Sequence, residues 1–251
     1  MKSGIYDTFI VNKFIAHRGY FDNDSPENSL LAFQKAIDKG YAIELDVQLL
    51  SDGTVVVFHD KQLSRMTGMD GYIRNIVKGD LENYKLLQTE EHIPTLNQVF
   101  ELVNGQTGII VDIKNTSSRV GILEKAVCKI IRDYQGDVAI QSMNPLTLEW
   151  FYKYAPNIMR GQVSYYFDNE YGKEISLLKR WLLKRMKLNK RSRPNYISYD
   201  YKRLPNKYVS KNKDIPTIAW VLRSQEDYRK ISSCCDNIIF EGFSPKKINK
   251  E

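Results

Sequence analysis

The chain has 251 residues, of which 42% are hydrophobic and 27% charged, with a net charge of +7. That length suits one large domain over residues 1–251. It is long enough to bury a full core, and no apolar run approaches the length of a membrane-spanning helix. Three cysteines, two of them adjacent, form neither a disulfide framework nor a zinc site. The N-terminal stretch lacks a signal peptide's apolar run, so a cytoplasmic address is expected.

Strand-like and helical segments alternate along the chain. Residues 13–16 form the first strand and run into "IAHRG". The stretch "SPENSLLAFQKAIDKG" reads as a helix with Ser25 as its cap, Pro26 in its first turn and Gly40 at its end. Strand 41–47 carries Glu44 and Asp46, and a short "QLLSDG" link leads to strand 54–58. Residues 61–92 show no clean helical period and are expected to pack as an insertion near the mouth of the fold. "PTLNQVFELVNG" is a helix capped by Thr95. Then come strand 109–113, helix 119–134, strand 138–141, helix 145–154 and strand 158–163. Strands 196–198, 217–220 and 237–240 follow, with helix 224–231 between the last two. Alternation of this kind implies parallel βα units.

Nine strands are one too many for a closed (β/α)8 barrel, and the short link resolves the excess. Six residues cannot make a parallel crossover, and Asp52-Gly53 reads as a two-residue hairpin turn. Strand 54–58 therefore folds back on strand 41–47, leaving eight parallel strands. The expected fold is an α/β (β/α)8 TIM barrel with an accessory hairpin after its second strand. A two-residue turn sets Ser51 opposite Thr54, and counting outward sets Asp46 opposite His59. Glu44 and Asp46 share a strand face, so two carboxylates and an imidazole are expected to converge.

Two close carboxylates call for a cation, and oxygen ligands suit calcium or magnesium. The plain alternative is a pair of solvated acids on an edge strand. The other strand ends favour the metal. His17 and Arg18 follow the first strand, Asp112 and Lys114 share a face of strand 109–113, and catalytic groups in such barrels sit at C-terminal strand ends. The set reads as Glu44, Asp46 and Asp112 on a metal, Arg18 and Lys114 facing an oxyanion, and His17 and His59 as an acid/base pair. Metal, cations and histidines together point to phosphoryl transfer. The competing reading is a ring of rim salt bridges, which leaves both histidines without a task. His92 reads as a surface loop residue.

The segment from "IAHRGYFDNDSPENSLLAFQKAIDKGYAIELDVQLLSDGTVVVFHD" to "LSRMTG" closely resembles the glycerophosphodiester phosphodiesterases. The match covers about the first 70 residues and thins to "PTL", "VDIK", "IQSMNP" and "IAWVL" later. It implies a metal-dependent TIM barrel that cleaves glycerophosphodiesters to sn-glycerol 3-phosphate and an alcohol. It implies His17 and His59 as the catalytic pair, one divalent ion (Ca2+, Mg2+ or Mn2+) on Glu44, Asp46 and Asp112, and phosphate contacts from Arg18 and Lys114. It also implies Asn28 lining the site, against a capping role, and Trp220 as a wall near the glycerol, against a plain core position. The sequence departs from the family pattern where Asp112 replaces a glutamate, where Ser29 replaces a threonine, and where "FEGFSP" places Glu241 in line with a usual aspartate. Alternatives to the small glycerophosphodiester are a lysophospholipid or other large headgroup, and, in a different class, an inactive binding barrel.

Residues 173–193 hold nine basic residues and one acid. Elsewhere charge is nearly balanced and no RNA-binding motif occurs, so no nucleic-acid partner is expected. The segment's apolar residues fall at helical spacing. That suits an outer barrel helix with a solvated basic face, or an interfacial helix making peripheral contact with anionic membrane.

Overall fold

The structure, a computed structural model, describes residues 4–167 and 176–248. Nine strands form one sheet: β1 (Ile15–His17), β2 (Ala42–Leu49), β3 (Val55–Val57), β4 (Ile109–Ile113), β5 (Val138–Ser142), β6 (Met159–Ser164), β7 (Tyr196–Asp200), β8 (Thr217–Leu222) and β9 (Asn237–Phe240). Every neighbour pair is parallel except β2–β3, and pairing of β1 with both β9 and β2 closes an eight-stranded barrel. The expected (β/α)8 TIM barrel with its accessory hairpin is what the chain forms.

The strand period of two builds the barrel in layers. Ile15, Ala42, Ile110, Ala139, Tyr196, Ile218 and Ile239 form a buried floor, sealed by Phe9 and Ile10 from the N-terminal segment. The Tyr196 ring fits because Gly161 has no side chain: a Cβ there would lie 2.2 Å from the ring. Two residues further along these strands, the inward positions become polar at His17, Glu44, Asp112, Gln141, Ser198 and, just past β9, Glu241, with Trp220 the apolar exception. The outward faces of β2 and β4 (Ile43, Leu45, Val47, Ile109, Val111, Ile113) join Phe33, Leu96, Val99, Val127 and Phe151 of the surrounding helices in the main core.

Five of the described α-helices begin on a side-chain cap, and three of these bear on the sequence reading. Thr95 Oγ1 accepts the Gln98 N–H and Ser224 Oγ that of Asp227, as their positions predict. The first long helix (Leu30–Asp38) is a correction: it starts on Ser29, whose hydroxyl oxygen accepts the Ala32 N–H, and not on Ser25. Ser25 is taken up by Asp22, which accepts both its N–H and its hydroxyl. Asn28 has φ +59, outside the helical region, so the helix cannot begin earlier.

The hairpin register is a second correction. Leu50 N–H donates to the Thr54 carbonyl and Gly53 N–H to the Leu50 carbonyl, giving a three-residue loop, Ser51-Asp52-Gly53. Gly53 sits at φ +84, the left-handed closing position of such a loop. Val47 then pairs with Val57, and Phe58, not His59, stands opposite Asp46. The expected Asp46–His59 pairing is therefore off by one residue. Phe58 turns into a second small core with Leu50, Val56, Leu63, Met66, Ile73 and Ile93, built from the hairpin and residues 61–92.

Candidate active site

Strand register assembles the centre. His17 pairs with Glu44, Asp46 with Asp112, and Asp112 with Gln141. Paired residues project from the same face, so the acids meet above the apolar floor. Glu44, Asp46 and Asp112 are all buried, and one oxygen from each lies within 4.8 Å of the others.

Two cations are threaded among them. Lys114 Nζ lies 2.7 Å from Asp46 Oδ1 and 3.1 Å from Asp112 Oδ2. Arg18 Nε lies 3.1 Å from Asp46 Oδ2. Arg18 adopts φ +57, which aims its backbone N–H at Glu44 Oε2 (3.2 Å) and its carbonyl at the Asn28 N–H (2.9 Å). Gly19, next in the chain, sits at φ +82, and a Cβ there would lie 2.8 Å from the Ala32 backbone. The "HRG" turn is thus a strained backbone held by its surroundings, a frequent property of functional loops.

Three carboxylates against two cations leave one uncompensated charge, and the acids do not share it equally. Burial pushes the Glu44 carboxyl well above its usual range, with Asp46 and Asp112 adding to the shift. Burial also raises Asp112, helped by Asp46 and opposed by Lys114. Burial acts on Asp46 too, but Lys114, Arg18 and both histidines outweigh it and hold its carboxyl far below the usual range. Such a cluster fits a divalent cation: three hard oxygen donors converge in a buried place and are one positive charge short. Gln141 Nε2 approaches Glu44 Oε1 (3.4 Å) and Asp112 Oδ2 (3.3 Å), bracing the two acids whose carboxyls burial raises.

Both histidines are held by carboxylates at the same ring nitrogen. His17 Nδ1 lies 2.6 Å from Glu241 Oε2, whose other oxygen lies 2.6 Å from Arg223 Nη2. His59 Nδ1 lies 2.6 Å from Asp60 Oδ1, and Asp60 also pairs with Arg65. A carboxylate on Nδ1 fixes the proton there and leaves Nε2 for chemistry. His17 Nε2 faces the acids, 4.0 Å from Glu44 Oε2. Burial lowers the His17 imidazole's pKa, against the pull of Glu241. His59 reaches the centre because β3 ends at Val57, and the alternation of faces no longer binds the chain beyond it. Its carbonyl, with those of Phe58 and Asp60, accepts from Gln48 Nε2, which fastens this turn to β2.

One ion-pair chain links the two sides. Arg65 grips Glu27 with both terminal nitrogens, and Glu27 Oε1 holds Arg18 Nη1 at 2.7 Å. The path runs from His59 through Asp60, Arg65, Glu27 and Arg18 to Asp46. Asp60, Glu27, Arg65 and Gln141 carry no role in the sequence reading. The "HD" and "PEN" stretches and the inward end of strand 138–141 were the available signals. Asn28 joins the centre through Asp46: it is buried, its Nδ2 donates to Asp46 Oδ2 (3.0 Å) and its Oδ1 accepts the Asp46 N–H (3.3 Å). A cavity of about 890 Å³ opens over the centre and is bounded by His59, Asp112, Lys114, Tyr165, Trp220 and residues of the insertion such as Arg65 and Tyr72. Trp220 packs edge-on against Tyr165 as part of its wall.

Fold and centre together define a class: a TIM barrel whose C-terminal rim holds three buried acids that could bind a cation, beside two guarded imidazoles. The glycerophosphoryl diester phosphodiesterase family model matches residues 17–230, and the chain belongs to that family. A glycerophosphodiester phosphodiesterase of Caldanaerobacter subterraneus is 39% identical over 162 residues, covering 59% of this chain and 64% of that protein. One from Bacillus altitudinis is 35% identical over 159 residues, again 59% and 64%. The matched part thus spans less than two thirds of these relatives' length. Among solved structures, a glycerophosphodiester phosphodiesterase from Thermotoga maritima superposes with a TM-score of 0.70 at 29% identity, covering 90% of this chain and 93% of that one. A phosphodiesterase from Oleispira antarctica, in complex with the product sn-glycerol-3-phosphate, gives 0.76 at 21% identity, covering 91% and 92%.

Proposed function

We propose that this protein is an enzyme that hydrolyses glycerophosphodiesters to sn-glycerol 3-phosphate and an alcohol. The observation that carries the reading is the convergence of three buried carboxylates with two imidazoles, each tied at Nδ1 to a further carboxylate. Glu44, Asp46 and Asp112 would hold the divalent ion; calcium, magnesium and manganese all suit an all-oxygen set. Bound there, the ion would neutralise charge on the phosphoryl oxygens and make a nearby hydroxyl more acidic.

The chain's own groups do the rest. Arg18 and Lys114 draw a phosphodiester anion to the centre and orient it. One imidazole removes a proton from the attacking oxygen, by analogy with related phosphodiesterases the neighbouring glycerol hydroxyl. The other delivers a proton to the departing alcohol, and water then opens the cyclic phosphate with the proton roles reversed. Trp220 supplies an apolar wall for the glycerol. Among the described residues no helix is long and apolar enough to cross a membrane. A cytoplasmic location is proposed on the odd cysteine count.

A panel of water-soluble glycerophosphodiesters and lysophospholipids, each assayed with calcium, magnesium and manganese, tests the activity. The expected result is release of sn-glycerol 3-phosphate from at least one small diester. Binding without turnover across the whole panel would leave the inactive barrel as the correct reading.

A further inference from the structure

The basic stretch at residues 173–193 has no task in the site just described. Its first three residues lie outside the described residues. From Ser176 onward the segment holds eight basic residues and no acid. Ser176 caps a helix, Leu177–Lys184, by accepting the Lys179 N–H. The sides of this helix differ. Leu183 is buried in a cluster with Tyr165 and Phe167, and Leu183 and Lys179 both border the active-site cavity. Leu177, Leu178 and Trp181, spaced one, three and four residues apart, share the side turned away from it. They are 74%, 68% and 42% exposed. Arg185 lies beside this arc, its guanidinium 4.5 Å from the Trp181 ring centre.

Single exposed leucines are ordinary, but two leucines and a tryptophan on one arc within a wholly basic stretch form a patch. A second copy of the chain is a poor occupant, because an isologous contact would press like charges together. An anionic bilayer satisfies both halves of the patch: apolar side chains and the indole enter the headgroup boundary while lysines and arginines meet anionic headgroups. We propose that the helix Leu177–Lys184 docks the protein on an anionic membrane surface. Because the opposite side of the same helix borders the cavity, docking holds the active site about one helix diameter, roughly 10 Å, from the lipid interface. The proposal reaches beyond the hydrolytic reading and is tested without turnover.

The test is co-sedimentation of the full chain with phosphatidylcholine vesicles and with vesicles that also contain phosphatidylglycerol, at low and high salt. Partition onto the anionic vesicles should be at least about tenfold stronger at low salt and should collapse at high salt, as charges near a surface are screened. A protein carrying both Leu178→Glu and Trp181→Glu should lose that partition while keeping the wild-type melting temperature and its rate on a water-soluble diester. Three results would overturn the proposal: no preference for anionic vesicles, full partition by the double variant, or reversible self-association that the double variant abolishes.

Discussion

Replacing His17 or His59 by alanine should lower kcat by about two to four orders of magnitude, the usual contribution of a positioned acid or base. The melting temperature should stay near wild type. His59 is about a third exposed, with its side chain at 35%, and makes one side-chain bond, to Asp60, so its loss opens no void in the core. His17 is less exposed, at 15%, and its polar partners are the rim groups Glu241 and Glu44. Because the two act on one reaction, the double variant should be scarcely slower than either single one. Steady-state kinetics beside a thermal melt reads both quantities. A His17→Ala enzyme with full activity would remove the acid/base assignment.

The metal carboxylates should respond to neutralisation in opposite ways. Asp46 is the buried anion between two partly buried cations, Arg18 and Lys114. Asp46→Asn takes one anionic partner from each, leaving Arg18 with Glu27 and Lys114 with Asp112, and should cost roughly 2 kcal/mol, about 4–8 °C in melting temperature for a chain of this size. Glu44 is the reverse case, because its charge is disfavoured by burial and by Asp46 and Asp112. Glu44→Gln should therefore leave the metal-free protein as stable as wild type or more so, while turnover and cation binding both fail. The sign of the pH effect follows from the same groups. Raised carboxyl pKa values on Glu44 and Asp112 mean that protons are held at higher pH than usual, and a cation must displace them. Affinity should rise with pH by up to about tenfold per unit for each proton released. Calorimetric titration with the cation in buffers of differing protonation enthalpy counts those protons, and proton-free binding would contradict the assignment.

The barrel was legible because its signals are local and periodic. Alternating strand and helix patterns, the short link at residues 48–53 and the polar residues closing β1, β2 and β4 identify both the architecture and the rim. What failed was geometry of one residue. A three-residue loop with Gly53 in the left-handed region and a two-residue Asp-Gly turn share the same letters, and only hydrogen bonds separate them. His59 reaches the centre all the same, carried by a turn that Gln48 anchors and not by strand pairing. The supporting carboxylates were the least legible. Glu241 is 224 residues from His17, no spacing rule connects them, and only its place at the end of the last barrel strand marked it as able to reach the site. Glu27, Asp60 and Arg65 read as a capping region, a strand end and an insertion, and gain their meaning only when the insertion folds onto the rim. The acids themselves were foreseeable because burying charge on the inward face of a barrel strand is unfavourable without a compensating ion.

Hydrolysis of a small glycerophosphodiester by protein stripped of metal with EDTA tests the central claim most directly. Turnover should be undetectable after stripping, return on adding one divalent cation, and yield sn-glycerol 3-phosphate. Undiminished turnover by the stripped protein would contradict the role assigned to Glu44, Asp46 and Asp112.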